Sequence, residues 1–309
     1  MAFNLTILGS NSSIPTASRF PTSQLVEFNS SYYLLDCGEG TQIQLRKYRI
    51  KIQRIRAIFI THLHGDHYFG LFGLLGTMHL LGRNATLDLF APPELKEMIE
   101  LQLKVAKTKF QFELNFHPLT FGESKVIWED DQVSVSTIPL QHRIPCNGFL
   151  FREHSHKRRI KKEALDTFRV PLQKIPKLKE GADYVTDNGE VIKNELLTHD
   201  PRKSFTFAFC SDTKFDPSIV PYIKDVDVLY HEGTFLESER ERAHKTFHST
   251  AAEAAEIAKM ANAGLLIIGH YSARYSSIEA HLEQARKVYK STELAWDGRK
   301  FEFRDNATG

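Results

Sequence analysis

The sequence predicts an α/β layered domain. Three observations carry that reading. Strand-like runs follow one another closely near the N-terminus, then strands alternate with helices. A chain of 309 residues with 41% hydrophobic side chains can bury a sizeable core. Several of the apolar strands also run directly into histidine or aspartate.

Phe3 to Gly9 is apolar and β-rich, and Gln24–Phe28 and Tyr32–Asp36 read as two further strands. Leucine, isoleucine and glutamine around Thr41–Tyr48 suggest a helix. Ala57–Ile60 is a short buried strand, Phe69 to Leu81 an apolar helix, Thr86–Phe90 a strand and Pro93–Lys107 a helix. Gln132–Leu140 is again a strand. Phe205–Cys210, Val226–Tyr230 and Leu265–Ile268 follow, with a helix between the last two from about Thr250 to Met260. From Arg152 to Lys203 the chain is instead polar, basic and poor in strand signal. His156–Lys162 is its densest charge run, and Pro171, Pro176 and Gly181 punctuate the rest. By composition this stretch is an insertion or arm on the surface of the domain, not part of its core.

A net charge of +2 with 25% charged residues points to no class of partner. Three cysteines, Cys37, Cys146 and Cys210, are odd in number and form no CxxC pair. That argues against a disulfide framework and a thiolate zinc site, and fits a reducing cytoplasm. The N-terminus shows no signal-peptide pattern. No apolar run approaches the roughly 20 residues of a membrane span.

The residues that carry chemistry follow the strand Ala57–Ile60: His62-Leu63-His64-Gly65-Asp66-His67. Three imidazoles and a carboxylate within six residues are a poor way to fill a core, because each would need its own polar partner. A metal site answers that need, since imidazole nitrogen and carboxylate oxygen are ligands that Zn²⁺ takes. His62 and His64 can point the same way from an extended loop. Asp66 and His67 can turn to a second ion, and Gly65 permits a tight bend between the pairs. Further ligands must come from elsewhere. His142, Asp212 and His270 each follow an apolar strand, and strand ends converge at one edge of a sheet. Singly each reads as an ordinary loop residue; after such a run, three at strand ends read as ligands.

The order of these residues resembles the metallo-β-lactamase superfamily, and within it the ribonuclease Z family, which processes the 3′ end of tRNA. The resemblance lies in Ile60 to Leu75, Ser211-Asp212-Thr213, His231-Glu232-Gly233-Thr234-Phe235, His248-Ser249-Thr250 and Gly269-His270-Tyr271-Ser272-Ala273-Arg274-Tyr275. Leu8-Gly9 and Pro15–Arg19 fit it too, so it spans roughly residues 3 to 285. It implies an αββα sandwich in one domain over residues 1–309, with 152–203 as a protruding arm that grips tRNA. It also implies two Zn²⁺ ions, one on His62, His64 and His142, the other on Asp66, His67 and His270, bridged by Asp212. Ligand type leaves Mn²⁺ or Fe²⁺ open. Asp66 would orient the attacking water or accept its proton.

Other residues make sense around that core. Thr250-Ala251-Ala252-Glu253 reads as a capping box opening a helix whose N-terminus could seat a phosphate, with Ser249 and Thr250 beside it. His248 is a candidate general acid or phosphate ligand, held in orientation by His231-Glu232; the same residues could form a purely structural hydrogen-bond pair. Arg274 could grip a phosphate oxygen or lie in a salt bridge under the site. The arm's Lys157, Arg158, Arg159, Lys161 and Lys162 suit a phosphate backbone. Two departures from the family stand out. The arm's stretch Arg169–Lys177 has prolines and basic residues but no glycine, and Gly233 stands where alanine is usual. The expected enzyme is a zinc-dependent endoribonuclease that removes the 3′ trailer of precursor tRNA and leaves a 3′-hydroxyl. It is expected to be a cytoplasmic homodimer without membrane or DNA partners. The alternatives are a dinuclear phosphodiesterase acting on small phosphodiesters and a non-catalytic RNA-binding relative.

Overall fold

The computed structural model describes residues 2–304, which divide into a main unit of residues 2–151 and 206–304 and a second unit, Arg152–Phe205. The main unit holds two seven-stranded sheets. The first contains Ala2–Gly9 (β1), Ser23–Phe28 (β2), Ser31–Leu35 (β3), Ile55–Phe59 (β4), Leu87–Ala91 (β5) and Leu114–Pro118 (β6), with the C-terminal strand Lys300–Arg304 at the far edge. Pairing is antiparallel from the C-terminal strand through β1 and β2 to β3, then parallel from β3 to β6. The second sheet contains Val126–Glu129 (β7), Val133–Leu140 (β8), Cys146–Glu153 (β9), Thr206–Cys210 (β10), Val228–Glu232 (β11), Leu265–Gly269 (β12) and Thr292–Leu294 (β13), lying in the order β13-β12-β11-β10-β9-β8-β7.

Period-two alternation builds the layers. In β3, Tyr33 and Leu34 point to opposite faces: Leu34 joins an apolar cluster with Leu45, Leu71 and Leu95, while Tyr33 meets Phe151 at 5.9 Å. In β9 and β10, Leu150, Ala208 and Cys210 join a second cluster with Ala255, Ile257 and Ala285. Phe149, Phe151 and Phe207 face the first sheet, where Phe59 lies 5.4 Å from Phe149 and Phe3 lies 5.6 Å from Phe207. Aromatic rings therefore fill the space between the sheets. Helices Thr41–Lys47 (α1), Gly65–Leu80 (α2) and Glu94–Val105 (α3) cover the outside of the first sheet. Of the remaining main-unit helices, Arg240–Thr246 (α4), Ala251–Ala261 (α5) and Glu279–Val288 (α6), the last two cover the second sheet. The main unit is thus an αββα sandwich.

The expected elements appear with small shifts, and one shift matters. α2 starts at Gly65, four residues before the expected Phe69, so Asp66 and His67 sit in its first turn and not in a loop. Gly65 is not among the residues with positive φ and makes no left-handed bend; a Cβ there would lie 2.2 Å from the Phe69 ring. β6, β7, β9, β13, the C-terminal strand, α4 and α6 escaped the sequence reading, mostly because edge strands and exposed helices carry short or mixed apolar patterns.

The second unit has its own small core. Val170, Leu178, Tyr184, Ile192 and Leu197 are buried together. Arg159–Ile160 pairs with Thr198–His199, and Tyr184–Val185 pairs with Val191–Ile192. Asn194 ties its turns, donating to the carbonyls of Leu178 (2.9 Å) and Ala182 (2.7 Å).

The aromatic layer predicts the largest stability effects. Phe151→Ala should cost about 3–5 kcal/mol in urea unfolding. Thr250→Ala, which removes the cap of α5, should cost about 1 kcal/mol.

Candidate metal centre

Six side chains that converge on one edge of the sandwich come from the C-terminal ends of strands. Asp36 follows β3, His62 follows β4, His142 follows β8, Asp212 follows β10, Glu232 ends β11 and His270 follows β12. Asp36, Asp212 and His270 hold left-handed backbone, with φ of 53°, 55° and 61°. Such conformations are costly for residues with a Cβ and persist where the surroundings impose them.

The expected ligands come together. His62, His64, His142 and Asp212 offer ligand atoms within 4.8 Å of one another, and so do Asp66, His67 and His270. Asp212 faces both groups. Its Oδ2 lies 3.7 Å from His62 Nε2 and 3.6 Å from His142 Nε2. Its Oδ1 lies 3.2 Å from His67 Nε2 and 3.0 Å from His270 Nε2. Asp66 Oδ2 lies 3.6 Å from His67 Nε2 and 3.5 Å from His270 Nε2, and it accepts a 2.6 Å hydrogen bond from the Ser13 amide.

Counting protons shows what this arrangement lacks. His142 Nδ1 donates to the Phe247 carbonyl at 3.0 Å, so its Nε2 is the lone-pair nitrogen of a neutral ring. The Thr61 hydroxyl donates to the Asp36 carboxylate and accepts from His62 Nδ1 at 2.9 Å, which leaves His62 Nε2 as a lone pair too. Both Nε2 atoms face His64 Nδ1, at 2.9 and 3.0 Å. One N–H on His64 cannot serve both. In the second group His67 Nδ1 donates to Asp36 at 2.8 Å. His270 Nδ1 donates to Thr234, whose hydroxyl is committed to Glu232. His67 Nε2 and His270 Nε2 are buried and make no hydrogen bond. Imidazole nitrogens, all but that of His64 backed by an outer partner, and carboxylate oxygens are a donor set that fits cations.

The charge balance agrees. Burial holds His62, His64 and His142 below the usual imidazole range, so all three favour the neutral form that binds metal. Burial opposes ionisation of Asp212 and Asp66, yet the imidazoles, His270 and His67 for the first and His67 for the second, outweigh it and keep both carboxyls low. Burial likewise opposes protonation of His67, but Asp212, Asp36 and Asp66 overcome it and push the group up.

His248 stands at the side of this centre, 5.1 Å ring to ring from His142. Its Nδ1 meets Glu232 Oε1 at 2.9 Å. Burial alone would depress its pKa, but Glu232, with Asp212 and Asp66 behind it, raises it to about 9. Glu232 is fully buried and also accepts from the amides of Thr213 (2.8 Å) and Ser249 (3.1 Å). It therefore positions His248 and touches nothing in the cavity. Asp66, His142, Asp212, His248, His270 and Arg274 all line one cavity of about 490 Å³.

Several expectations need correction. His231 does not reach His248; its Nδ1 is spent on the Glu232 carbonyl at 2.7 Å. Ser249 and Thr250 do not line the cavity: the Ser249 hydroxyl donates to the Thr213 carbonyl, and Thr250 forms the capping box with Glu253. The Ala251 amide donates to the Phe235 carbonyl and the Glu253 amide to Thr250, so the phosphate seat expected at this helix end is filled by the protein itself. Arg274 lines the cavity and also approaches Glu239 at 3.7 Å, combining both readings. In the second unit, Lys157 pairs with Glu180 (2.9 Å), Arg158 with Asp200 (2.7 Å), and Lys161 donates to the Glu195 carbonyl (2.7 Å). Arg159 and Lys162 are exposed and have no ion-pair partner among the described residues. Sequence reasoning missed Asp36, although it follows a strand as Asp212 does, and also Thr61, Thr234, Arg143 and Arg242.

Comparison with known proteins is consistent with this geometry. Residues 3–160 match the family described as Anti-Pycsar protein Apyc1. The chain is 45% identical to the Ribonuclease Z of Parabacteroides distasonis over 296 residues, covering 96% of this chain and 97% of that protein. Human tRNase Z, short form, aligns with a TM-score of 0.69 at 26% identity, over 96% of this chain and 98% of its own. The metallo-β-lactamase fold protein YhfI of Bacillus subtilis shares the fold, with a TM-score of 0.70 at 17% identity over 98% and 100% of the two chains.

The His248–Glu232 pair makes a testable pH dependence. In metal-stripped protein, NMR titration should place His248 near 9, and Glu232→Gln should drop it towards about 6.5. Because the folded value is raised, the pair's stabilisation should be complete below about pH 6.5 and lost as pH rises through about 9. Urea stability measured across that window should flatten in the variant.

Proposed function

The chain belongs to the ribonuclease Z family, and its residues 3–160 also fit the Anti-Pycsar protein Apyc1 family; from that premise we propose that it matures precursor tRNA by cutting off the 3′ trailer and leaving a 3′-hydroxyl. It is a hydrolytic endoribonuclease with a metallo-β-lactamase fold. The observation that carries the mechanism is Asp212, with one oxygen turned to each of two ligand groups.

In this reading His62, His64 and His142 hold one Zn²⁺, and Asp66, His67 and His270 hold another. Asp212 would serve both ions, and Mn²⁺ or Fe²⁺ could take the place of Zn²⁺. Two bound ions would lower the pKa of a water and balance the charge that builds on phosphate oxygens. Asp66, fixed by the Ser13 amide, would orient the attacking water and accept its proton. His248, held protonated by Glu232, gives a proton to the departing 3′-oxygen. Arg274 binds a phosphate oxygen from the cavity wall. Arg152–Phe205 would serve as the tRNA-gripping arm, with Arg159 and Lys162 as its free cations. A cytoplasmic homodimer completes the proposal; no described helix is long and apolar enough to cross a membrane.

Elemental analysis of protein purified without chelator should approach two transition-metal equivalents per chain. A value held at or below one after zinc saturation would remove the dinuclear centre from this reading.

Asp66→Ala should abolish cleavage with little loss of tRNA binding. His248→Ala should lower turnover by roughly 10²–10⁴. Turnover near wild type in either variant would reverse the assigned roles.

Arg159→Glu with Lys162→Glu should raise KM for precursor tRNA, leave kcat nearly unchanged and flatten the dependence of affinity on salt. An unchanged salt slope would take the arm out of RNA binding.

A further inference from the structure

The cavity beside the candidate metal centre has two unlike sides. Three arginines, Arg143, Arg242 and Arg274, line it together with His248, and each belongs to a segment that borders His248. Arg143 directly follows His142, whose ring is 5.1 Å from that of His248. Arg242 lies on α4, and Thr246, at the end of that helix, also lines the cavity. Arg274 stands 5.9 Å over the Phe235 ring, which is itself 6.1 Å from His248. The Asp66 side is different: Ser12, Ser13 and Gly65 carry no charge, and Phe69 is 59% exposed.

The arginines are also unequally occupied. Arg242 Nε donates to Glu239 Oε2 at 2.9 Å, and Arg274 approaches the same oxygen at 3.7 Å. One carboxylate therefore steadies two guanidinium groups. Arg143 is exposed and has no acidic partner among the described residues. A guanidinium without a counter-ion at the mouth of an anion-cleaving site invites a phosphate.

We propose that Arg143 and Arg242 bind the phosphate immediately 5′ of the scissile linkage, so that the cavity reads the direction of the RNA strand. The inference rests on the endoribonuclease reading. In that reaction a water oxygen bonds to phosphorus, the bond from phosphorus to O3′ breaks, and His248 supplies the proton to O3′. The departing O3′ belongs to the retained tRNA, so the phosphates on the His248 side are those upstream of the cut. The arginine side matches that strand, and the uncharged side with Phe69 receives the first trailer nucleotide, whose base can stack on an aromatic ring. Glu239 is the internal counter-ion that keeps Arg242 and Arg274 at the wall when no RNA is bound.

The test uses zinc-loaded enzyme and precursor tRNAs carrying one uncharged methylphosphonate, placed either at the phosphate 5′ of the scissile linkage or at the one 3′ of it. With wild-type enzyme, the 5′ replacement should raise KM about 10-fold, the effect of losing a charged hydrogen bond, and the 3′ replacement should change it little. Arg143→Ala and Arg242→Ala should each raise KM on the normal precursor, with melting temperatures at the wild-type value, and Arg143→Lys should recover part of the loss. In the Arg143→Ala Arg242→Ala double variant, the 5′ methylphosphonate should cost nothing further, because protein group and phosphate share one interaction. Greater sensitivity at the 3′ phosphate overturns the proposal, as do fully multiplicative effects in the double variant. The wild-type comparison stands even if the variants fold poorly. A normal precursor left uncut by wild-type enzyme overturns the endoribonuclease reading as well.

Discussion

A single buried carboxylate organises this molecule. Asp212 is 2% exposed and stands between two sets of imidazoles, one for each oxygen. An ion so deep is costly to desolvate and is tolerated only where opposite charge or hydrogen bonds surround it. Burial drives His62 and His142 to the neutral form, while the surrounding carboxylates push His67 towards its charged form. The edge of the sandwich is shaped around that balance, and its His/Asp cluster is a donor set that suits cations.

Meeting it takes more than ligands. Each inward nitrogen but that of His64 is set by an outward one: His67 on Asp36, His62 on Thr61, His270 on Thr234, His142 on the Phe247 carbonyl. Thr61 and Thr234 pass their hydroxyl protons to Asp36 and Glu232, so these two carboxylates dictate which tautomer the rings present. Glu232 does double service, because it also keeps the His248 ring charged and fixed. The same buried acid thus links the centre that would bind metal to the group that would protonate the leaving oxygen.

The sandwich provides the rigidity this needs. Strands β3, β4, β8, β10, β11 and β12 end at a common edge, and the edge-on and tilted rings packed between the sheets leave little room for that edge to shift. Left-handed backbone at Asp36, Asp212 and His270 is strain that this packing sustains. The surface residues around the cavity are freer, and there charge is distributed unevenly: arginines on one side, hydroxyls and a phenyl ring on the other.

What the sequence determined by itself was the chemistry and its strand-end placement. His62, His64, Asp66, His67, His142, Asp212 and His270 were legible as candidate ligands because metal binding needs particular atoms and because each of the three remote ones follows an apolar run. The layered α/β class was legible because period-two and helical patterns are local properties of the chain, whereas the αββα order was implied by the family resemblance. Tertiary structure alone decided what each neighbour of the site does. Ser249 and Thr250 look like a phosphate seat in one dimension, but Ser249 donates to Glu232 and the Thr213 carbonyl, and Thr250 to Glu253 and Glu237. His231 and Glu232 are adjacent, yet alternation along β11 sends only Glu232 to His248. Asp36, Arg143 and Arg242 give no sign in sequence of standing beside His67 or in the cavity wall, because those meetings depend on segments far apart in the chain. Donor types can be read along a sequence; which donor is already spent depends on what the fold brings within 3 Å of it.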